Sequence, residues 1–102
     1  MIHVLAIITT KPGMRDQVLE AFRANMPAVH AEAGCIEYGP MVDFQTNLTG
    51  QPPRENVVTM IEKWESVAAL EAHLISPHML AFRKATEALR LEIKLQILAP
   101  GL

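Results

Sequence analysis

The chain has 102 residues, a length typical of one compact domain. Its 9 basic and 11 acidic side chains give a net charge of −2, which excludes the strongly basic surface of nucleic-acid-binding proteins. Hydrophobic residues make up 50% of the chain, enough for an ordered core, yet no apolar run approaches the roughly 18–20 residues that a membrane-spanning helix needs.

Two elements of different periodicity open the chain. Residues 2–10 are apolar and rich in β-branched side chains, which predicts a strand. From Met14 onward, apolar residues recur every three or four positions among charged ones, which predicts an amphipathic helix that ends at Gly34. Pro27 falls inside this helix, and we expect it to kink the helix or to separate its last turn.

The central part of the chain is predicted to form two strands joined by a loop. Residues 35–44 are strand-like, although Gly39 and Pro40 interrupt them, which is typical of a bulge or an edge strand. Residues 45–55 are polar and contain adjacent prolines, which indicates an exposed loop. Residues 56–65 are again strand-like.

The last third of the chain predicts two helices and a strand. Ser66 is the expected N-cap of a helix over residues 67–74, and Ser76 followed by Pro77 marks the start of another helix that runs to about residue 89. Residues 91–98 alternate between apolar and polar side chains, which predicts a strand. The order β-α-β-β-α-β indicates one α+β domain over residues 1–102 with an antiparallel sheet.

Both faces of the predicted sheet carry apolar side chains. In the first strand Val4 and Ala6 point to one face, while Leu5 and Ile7 point to the other. A sheet that packs helices on one face is normally polar on its other face. We therefore expect the open sheet face to be covered by a second copy of the chain, most simply in a two-fold homodimer.

The single cysteine, Cys35, allows no internal disulfide, and no neighbouring cation in the sequence favours its thiolate. The first residues include neither a basic leader nor a small-residue cleavage site. We therefore expect a cytoplasmic protein that interacts with neither a membrane nor nucleic acid.

Two histidines near the predicted helix boundary are candidates for chemistry. His73 could act as a general base, because neutral imidazole takes a proton from a phenol near pH 7 without a cofactor, or it could be a structural histidine that interacts with the helix dipole. His78 follows five residues later, which on a continuous helix turns it about 140° away. No acidic or thiolate group lies at a supporting spacing, so we predict no metal site.

Three side chains on the central strands have both a functional and a structural interpretation. Trp64 could stack on an aromatic ligand or pack in the core, and Tyr38 could offer a phenol O–H to a pocket or be an ordinary strand tyrosine. Glu62 lies on an apolar stripe, where a carboxylate needs a partner. An ion pair with Arg54 or Arg83 is the favoured interpretation for Glu62.

Five short segments carry a resemblance to a known family: KPG (11–13), EAGCIEY (32–38), EKWES (62–66), ALEAHL (69–74) and SPHM (76–79). In this order and spacing they resemble the antibiotic biosynthesis monooxygenase family, within the dimeric α+β barrel superfamily. The resemblance covers nearly the whole chain and is weakest over residues 45–55. It implies a ferredoxin-like βαββαβ fold, a homodimer whose sheets form a barrel, and a pocket between helices and sheet in each subunit.

The resemblance also implies an activity. Some members of the family oxygenate quinols or polycyclic phenols with neither metal nor flavin, and relatives include an isomerase-like enzyme and haem degraders. The haem degraders use an asparagine, a tryptophan and a histidine at positions that hold Ala6, His73 and Arg83 here, which implies that this chain does not degrade haem. The polyketide oxygenases have an asparagine at the position that holds Met60 here. The implied function is a cofactor-independent monooxygenase that takes dioxygen and a small aromatic or quinol-type molecule.

For that function we expect His73 to be the base, Trp64 to be the wall on which the substrate stacks, and Tyr38 to be a hydrogen-bond donor. The residues predicted to bind the substrate are Met60, Glu62, Phe82 and Arg83. Two alternatives stay open, namely an isomerase that moves a proton with the same histidine and a non-catalytic dimer that binds a small hydrophobic metabolite. The fold alone does not choose among them.

Overall fold

A computed structural model describes residues 1–102. The regular elements are, in chain order, β1 (Ile2–Thr10), α1 (Arg15–His30), β2 (Cys35–Met41), β3 (Val57–Trp64), α2 (Val67–Leu74), α3 (Pro77–Thr86) and β4 (Arg90–Leu98). A single 3₁₀ turn, Glu87–Leu89, connects α3 to β4. No helix is long and apolar enough to cross a membrane.

The four strands form one antiparallel sheet in the order β2-β3-β1-β4. This arrangement confirms the α+β prediction. Helices α1 and α2 pack against β2 and β3 on one face of the sheet, and α3 packs against α1. The residues predicted for the site therefore lie on two layers, the sheet and the helices that pack on it.

The hydrophobic core follows the two-residue period of the strands. Buried side chains alternate along β1 and β3 and point toward the helices, and α1 supplies the opposite wall. The largest fully buried side chains at this interface are those of Trp64, Phe22 and Met60. Ser66 caps α2 as predicted, because its Oγ accepts a hydrogen bond of 3.1 Å from the backbone N–H of Ala69.

Two apolar surfaces of the sheet have no cover in the single chain. Leu5, Ile7 and Ile61 lie on the face away from the helices and are half-buried. On β4 the register places Ile93, Leu95 and Ile97 on the helix side, opposite Ile8, Ala6 and Val4, yet all three stay exposed because this strand lies at the edge of the sheet.

Some local predictions were wrong in detail. Helix α1 continues through Pro27 and ends at His30, so no last turn is separated. Strand β2 lies at a sheet edge as expected, but its register shift falls near Cys35 and not at the Gly39-Pro40 pair, and the strand ends at Met41. Ser76 occupies the N-cap position of α3 without capping it, since its hydroxyl donates to the carbonyl of His73 instead.

Candidate active site

A cavity of about 110 Å³ lies between the helix-facing side of the sheet and helices α1 to α3. Its wall is mainly apolar, with a few polar side chains that converge on it. Six of the seven residues predicted to catalyse or bind line this cavity: Tyr38, Met60, Glu62, His73, Phe82 and Arg83. An apolar cleft with few polar groups is the usual form of a small-molecule site.

His73 occupies the last turn of α2, where its side chain enters the core and is only 1% exposed. The imidazole is held between two aromatic rings, with centroid distances of 4.5 Å to Trp64 and 5.4 Å to Tyr38. Its Nδ1 atom lies 2.7 Å from Oε2 of Glu32. The ring is thus fixed by packing and by one polar contact while it borders the cavity.

Trp64 does not line the cavity, which corrects its predicted role as the wall on which the substrate stacks. Its side chain is fully buried behind His73, and its indole packs against that imidazole at an interplanar angle of 36°. The indole N–H donates to Oε1 of Glu62 at 3.0 Å. Residues two apart on a strand share a face, so this bond is a direct result of the β3 periodicity.

Glu62 has a different partner from the one favoured by the sequence, since it forms no ion pair with an arginine. Arg54 pairs with Asp43 at 2.8 Å in the loop after β2, and Arg83 donates to the carbonyl of Leu74. Burial raises the pKa of Glu62 above its ordinary value, although the indole N–H and the nearby imidazole oppose this shift. A buried carboxyl with a raised pKa is a common feature of functional sites.

Tyr38 points into the cavity from β2 and is buried. Burial, aided by the negative charge of Glu62 and Glu32, raises the pKa of its phenol well above the ordinary value. The hydroxyl therefore stays protonated, and its nearest partner is the soft acceptor Sδ of Met79 at 4.0 Å. This weak contact leaves the O–H free to donate to a ligand.

The remaining predicted residues form the helix side of the cavity. Phe82 stacks on Phe22 with a centroid distance of 4.5 Å, and Met60 faces them from β3. Arg83 donates one N–H to the carbonyl of Leu74, and its guanidinium has four further N–H donors. No other lysine or arginine lines the cavity.

Sequence reasoning missed Glu32 as a member of the site. The residue follows the C-terminus of α1, where a carboxylate is unfavourable beside the negative end of the helix dipole, and this could have indicated a need for a partner. Gly34 makes the contact with His73 possible. It has φ +83°, and a Cβ there would lie 2.6 Å from Cβ of Ala69, one helical turn before His73. The glycine lets the turn approach α2 closely.

Three possible metal ligands meet at this point, because one atom each of Glu32, His73 and His78 lies within 4.8 Å of the others. The prediction of no metal site considered spacing along the sequence, whereas the fold brings the distant Glu32 to both histidines. Oε2 of Glu32 lies 2.7 Å from Nδ1 of His73, to which it is hydrogen-bonded, and 3.1 Å from Nε2 of His78, whose own hydrogen bond is to Oγ of Ser76. Burial raises the pKa of Cys35, so no thiolate joins the group. The arrangement is one hydrogen bond between Glu32 and His73, with the His78 ring close to the same carboxylate.

Comparison with protein families gives a match over most of the chain. The family model described as "Antibiotic biosynthesis monooxygenase" matches residues 1–85. The chain is also 43% identical, over 104 aligned residues that cover all of both chains, to "Probable quinol monooxygenase YgiN" of Escherichia coli (strain K12).

Solved structures show the same architecture. The crystal structure of PA3566 from Pseudomonas aeruginosa superposes with a TM-score of 0.80 at 31% identity, covering 97% of this chain and 92% of that one. The structure of Rv0793 from Mycobacterium tuberculosis gives a TM-score of 0.78 at 25% identity, with coverages of 97% and 93%. The fold predicted from the sequence is confirmed by these matches.

Proposed function

The chain belongs to the antibiotic biosynthesis monooxygenase family, and we propose that it hydroxylates a small quinol with dioxygen, without a cofactor, with His73 as the base. The observation that carries the proposal is the position of His73. Its imidazole is 1% exposed and borders an apolar cavity that also holds a neutral phenol and a guanidinium. The oxidoreductase class agrees with the family and with the relative from Escherichia coli.

A quinol can supply every electron that such a reaction needs. A hydroquinone and O₂ give a hydroxyquinone and one water: one oxygen atom forms the new C–O bond, and the other leaves as water with two hydrogens of the substrate. The ring loses four electrons and dioxygen gains four. No external reductant is required, which supports a reaction without flavin or metal.

The first step needs a base, because a neutral quinol reacts slowly with triplet oxygen and its anion transfers an electron readily. In the proposed reaction His73 takes the phenolic proton. Arg83 faces the resulting anion from α3, and Tyr38 donates a hydrogen bond from the other side of the cavity. The apolar wall formed by Phe82 and Met60 excludes water from the reactive anion.

The size of the cavity favours a small substrate. Its volume is about 110 Å³, and an apolar cavity of roughly 150 Å³ is known to hold one benzene. The wall on the β4 side is formed by Ile93 and Leu95, which are themselves exposed in the single chain. The cavity is smaller than one that holds benzene, so the ring of a quinol would have to extend beyond it toward Ile93 and Leu95 on β4.

A homodimer is part of the proposal. The open sheet face carries Leu5, Ile7 and Ile61, and burying such side chains is worth about 25 cal/mol per Å². A second copy packed sheet on sheet would cover these residues by two-fold symmetry. The exposed row on β4 would then lie next to the dimer boundary, beside the mouth of the cavity.

Oxygen consumption by the metal-stripped protein tests the function, with substituted hydroquinones and dihydroxynaphthalenes as substrates. The expected result is uptake of one O₂ per hydroxyquinone formed, above the spontaneous rate. Turnover of a substrate under anaerobic conditions would instead identify an isomerase. Saturable binding without any product would identify a non-catalytic binding protein.

A further inference from the structure

Three side chains from three segments meet at one carboxylate oxygen. Glu32 follows α1, His73 ends α2, and His78 lies in the first turn of α3. Oε2 of Glu32 lies 2.7 Å from Nδ1 of His73 and 3.1 Å from Nε2 of His78. We propose that Glu32 is a positioning residue which, braced by His78, holds His73 as the tautomer protonated on Nδ1, so that Nε2 is the proton acceptor. This inference rests on the function proposed above.

The proton on His78 can be placed from its neighbours. Ser76 has one hydroxyl proton and donates it to the carbonyl of His73 at 2.8 Å, because a carbonyl can only accept. Toward Nε2 of His78, 3.2 Å away, the Ser76 oxygen can therefore only accept. The carboxylate oxygen of Glu32 also accepts. The proton of His78 therefore lies on Nε2 and is donated to Ser76, while the Glu32 carboxylate lies 3.1 Å from the same nitrogen.

The same reasoning fixes the base. An ionised carboxylate offers only lone pairs, so Nδ1 of His73 must carry the proton that bonds to Glu32. A neutral imidazole has one N–H, and its other nitrogen, Nε2, is then unprotonated. Packing against Trp64 and Tyr38 fixes the plane of the ring, so this lone pair keeps a constant direction.

The cluster also prepares the site for the charge that forms in the reaction. When Nε2 takes a proton the imidazole becomes a cation, and its hydrogen bond to the Glu32 carboxylate becomes an ion pair in which both partners are charged. The side chain of Glu32 is 13% exposed and that of His73 is 2% exposed, so water screens this pair little. His78, at 27% side-chain exposure, holds the carboxylate from the solvent side.

Nuclear magnetic resonance of the [¹⁵N]histidine-labelled protein tests the tautomer directly. The chain has four histidines, and loss of one set of signals in His73→Gln assigns the residue. The expected spectrum of the neutral form shows Nδ1 of His73 as a protonated nitrogen and Nε2 as an unprotonated one. The opposite pattern in the unmodified protein would overturn the inference whatever the activity is, and it needs no variant of the cluster to fold.

Kinetics test the positioning role. Glu32→Leu should shift the His73 nitrogens toward a mixture of tautomers. It should also lower kcat, at most by the full contribution of a general base, about 10²–10⁴-fold, with KM little changed. The matched control is Glu71→Leu, the same change at an exposed position of α2, which should leave both constants unchanged. Unaltered tautomer and kcat in a folded Glu32→Leu variant would contradict the role of Glu32.

The brace is tested by two changes at His78. His78→Gln keeps an N–H donor near the position of Nε2 and should retain most of kcat, whereas His78→Leu removes the donor and should lower kcat further. Equal kcat in the two variants would show that the N–H of His78 does not help to hold Glu32. If His73→Ala itself kept full activity, the proposed function would fail, while the measured tautomer would stand as a separate result.

Discussion

Oε2 of Glu32 lies 2.7 Å from Nδ1 of His73, although 41 positions separate the two residues in the chain. The contact depends on the turn after α1, which the close approach of Gly34 to Ala69 brings against α2. It places a carboxylate behind an imidazole that borders an apolar cavity. The fold thus brings an imidazole and a carboxylate together from two separate helical segments.

Gly34 and Gly13 form a matched pair that separates backbone strain from steric overlap. Both have positive φ, +83° and +79°, so either Gly→Ala change costs about 1–3 kcal/mol through strain. Only at Gly34 does the new Cβ also meet another side chain, at 2.6 Å from Cβ of Ala69, whereas nothing lies within 4 Å at Gly13. We expect Gly34→Ala to lower Tm more than Gly13→Ala in thermal unfolding. Equal losses would mean that the close approach is unimportant.

Tyr38→Phe should weaken the reaction modestly and leave the fold intact. The phenol O–H has only the weak contact with Sδ of Met79 at 4.0 Å, so its removal breaks no strong bond in the free protein. A neutral hydrogen bond to the substrate is worth about 0.5–1.5 kcal/mol, or about two- to twelve-fold in kcat/KM. Steady-state kinetics measure this, and an unchanged kcat/KM would show that Tyr38 does not contact the substrate.

Glu62→Gln should stabilise the protein near neutral pH and not in acid. The pKa of Glu62 is raised in the folded state above its ordinary value of 4.5. Below that value both states hold the proton; as pH rises, the unfolded chain releases it first, and the folded protein loses relative stability until it also ionises. The amide of the variant can still accept from the Trp64 N–H.

Urea unfolding of both proteins between about pH 4 and pH 8 measures this difference. The advantage of Glu62→Gln should grow as pH rises through 4.5. Glu71→Gln, an exposed change on α2, is the control that should show no such growth. An advantage that shrinks with rising pH would contradict the assignment of a destabilising buried carboxylate.

Ile7→Lys should dissociate the proposed homodimer. Ile7 lies at the centre of the open sheet face, beside Leu5 and near Ile61, and a lysine there would place two like charges across a two-fold interface. Light scattering should give about twice 11.3 kDa for the unmodified protein and 11.3 kDa for the variant. Lys84→Glu, on the exposed side of α3, should remain dimeric. A monomeric unmodified protein would refute the sheet-on-sheet assembly.

Local patterns predicted the elements because each depends on neighbours in the sequence. The alternation of β1 and the Ser66 cap of α2 are properties of a few adjacent residues, and both are confirmed. Six of the residues predicted from the sequence line the cavity. Side-chain partners were harder to predict, because Glu62 accepts from the Trp64 indole and pairs with no arginine.

The cluster around His73 could not be predicted from spacing. Glu32 reaches it only through the turn geometry at Gly34, which a one-dimensional pattern does not encode. The interval between His73 and His78 was interpreted on a single helix, whereas the break at Ser76 turns His78 back toward Glu32. The exposure of Ile93 and Leu95 depends on which strand lies at the sheet edge, and thus on topology.

Turnover of a hydroquinone under ¹⁸O₂, with His73→Ala alongside, tests most directly whether the protein oxygenates a quinol with His73 as the base. His3→Ala, on the opposite face of the sheet, serves as the histidine control. We expect one ¹⁸O atom in each hydroxyquinone and a rate that falls by about 10²–10⁴-fold in His73→Ala, the contribution of a general base. A product without label, or full activity in His73→Ala, would contradict it.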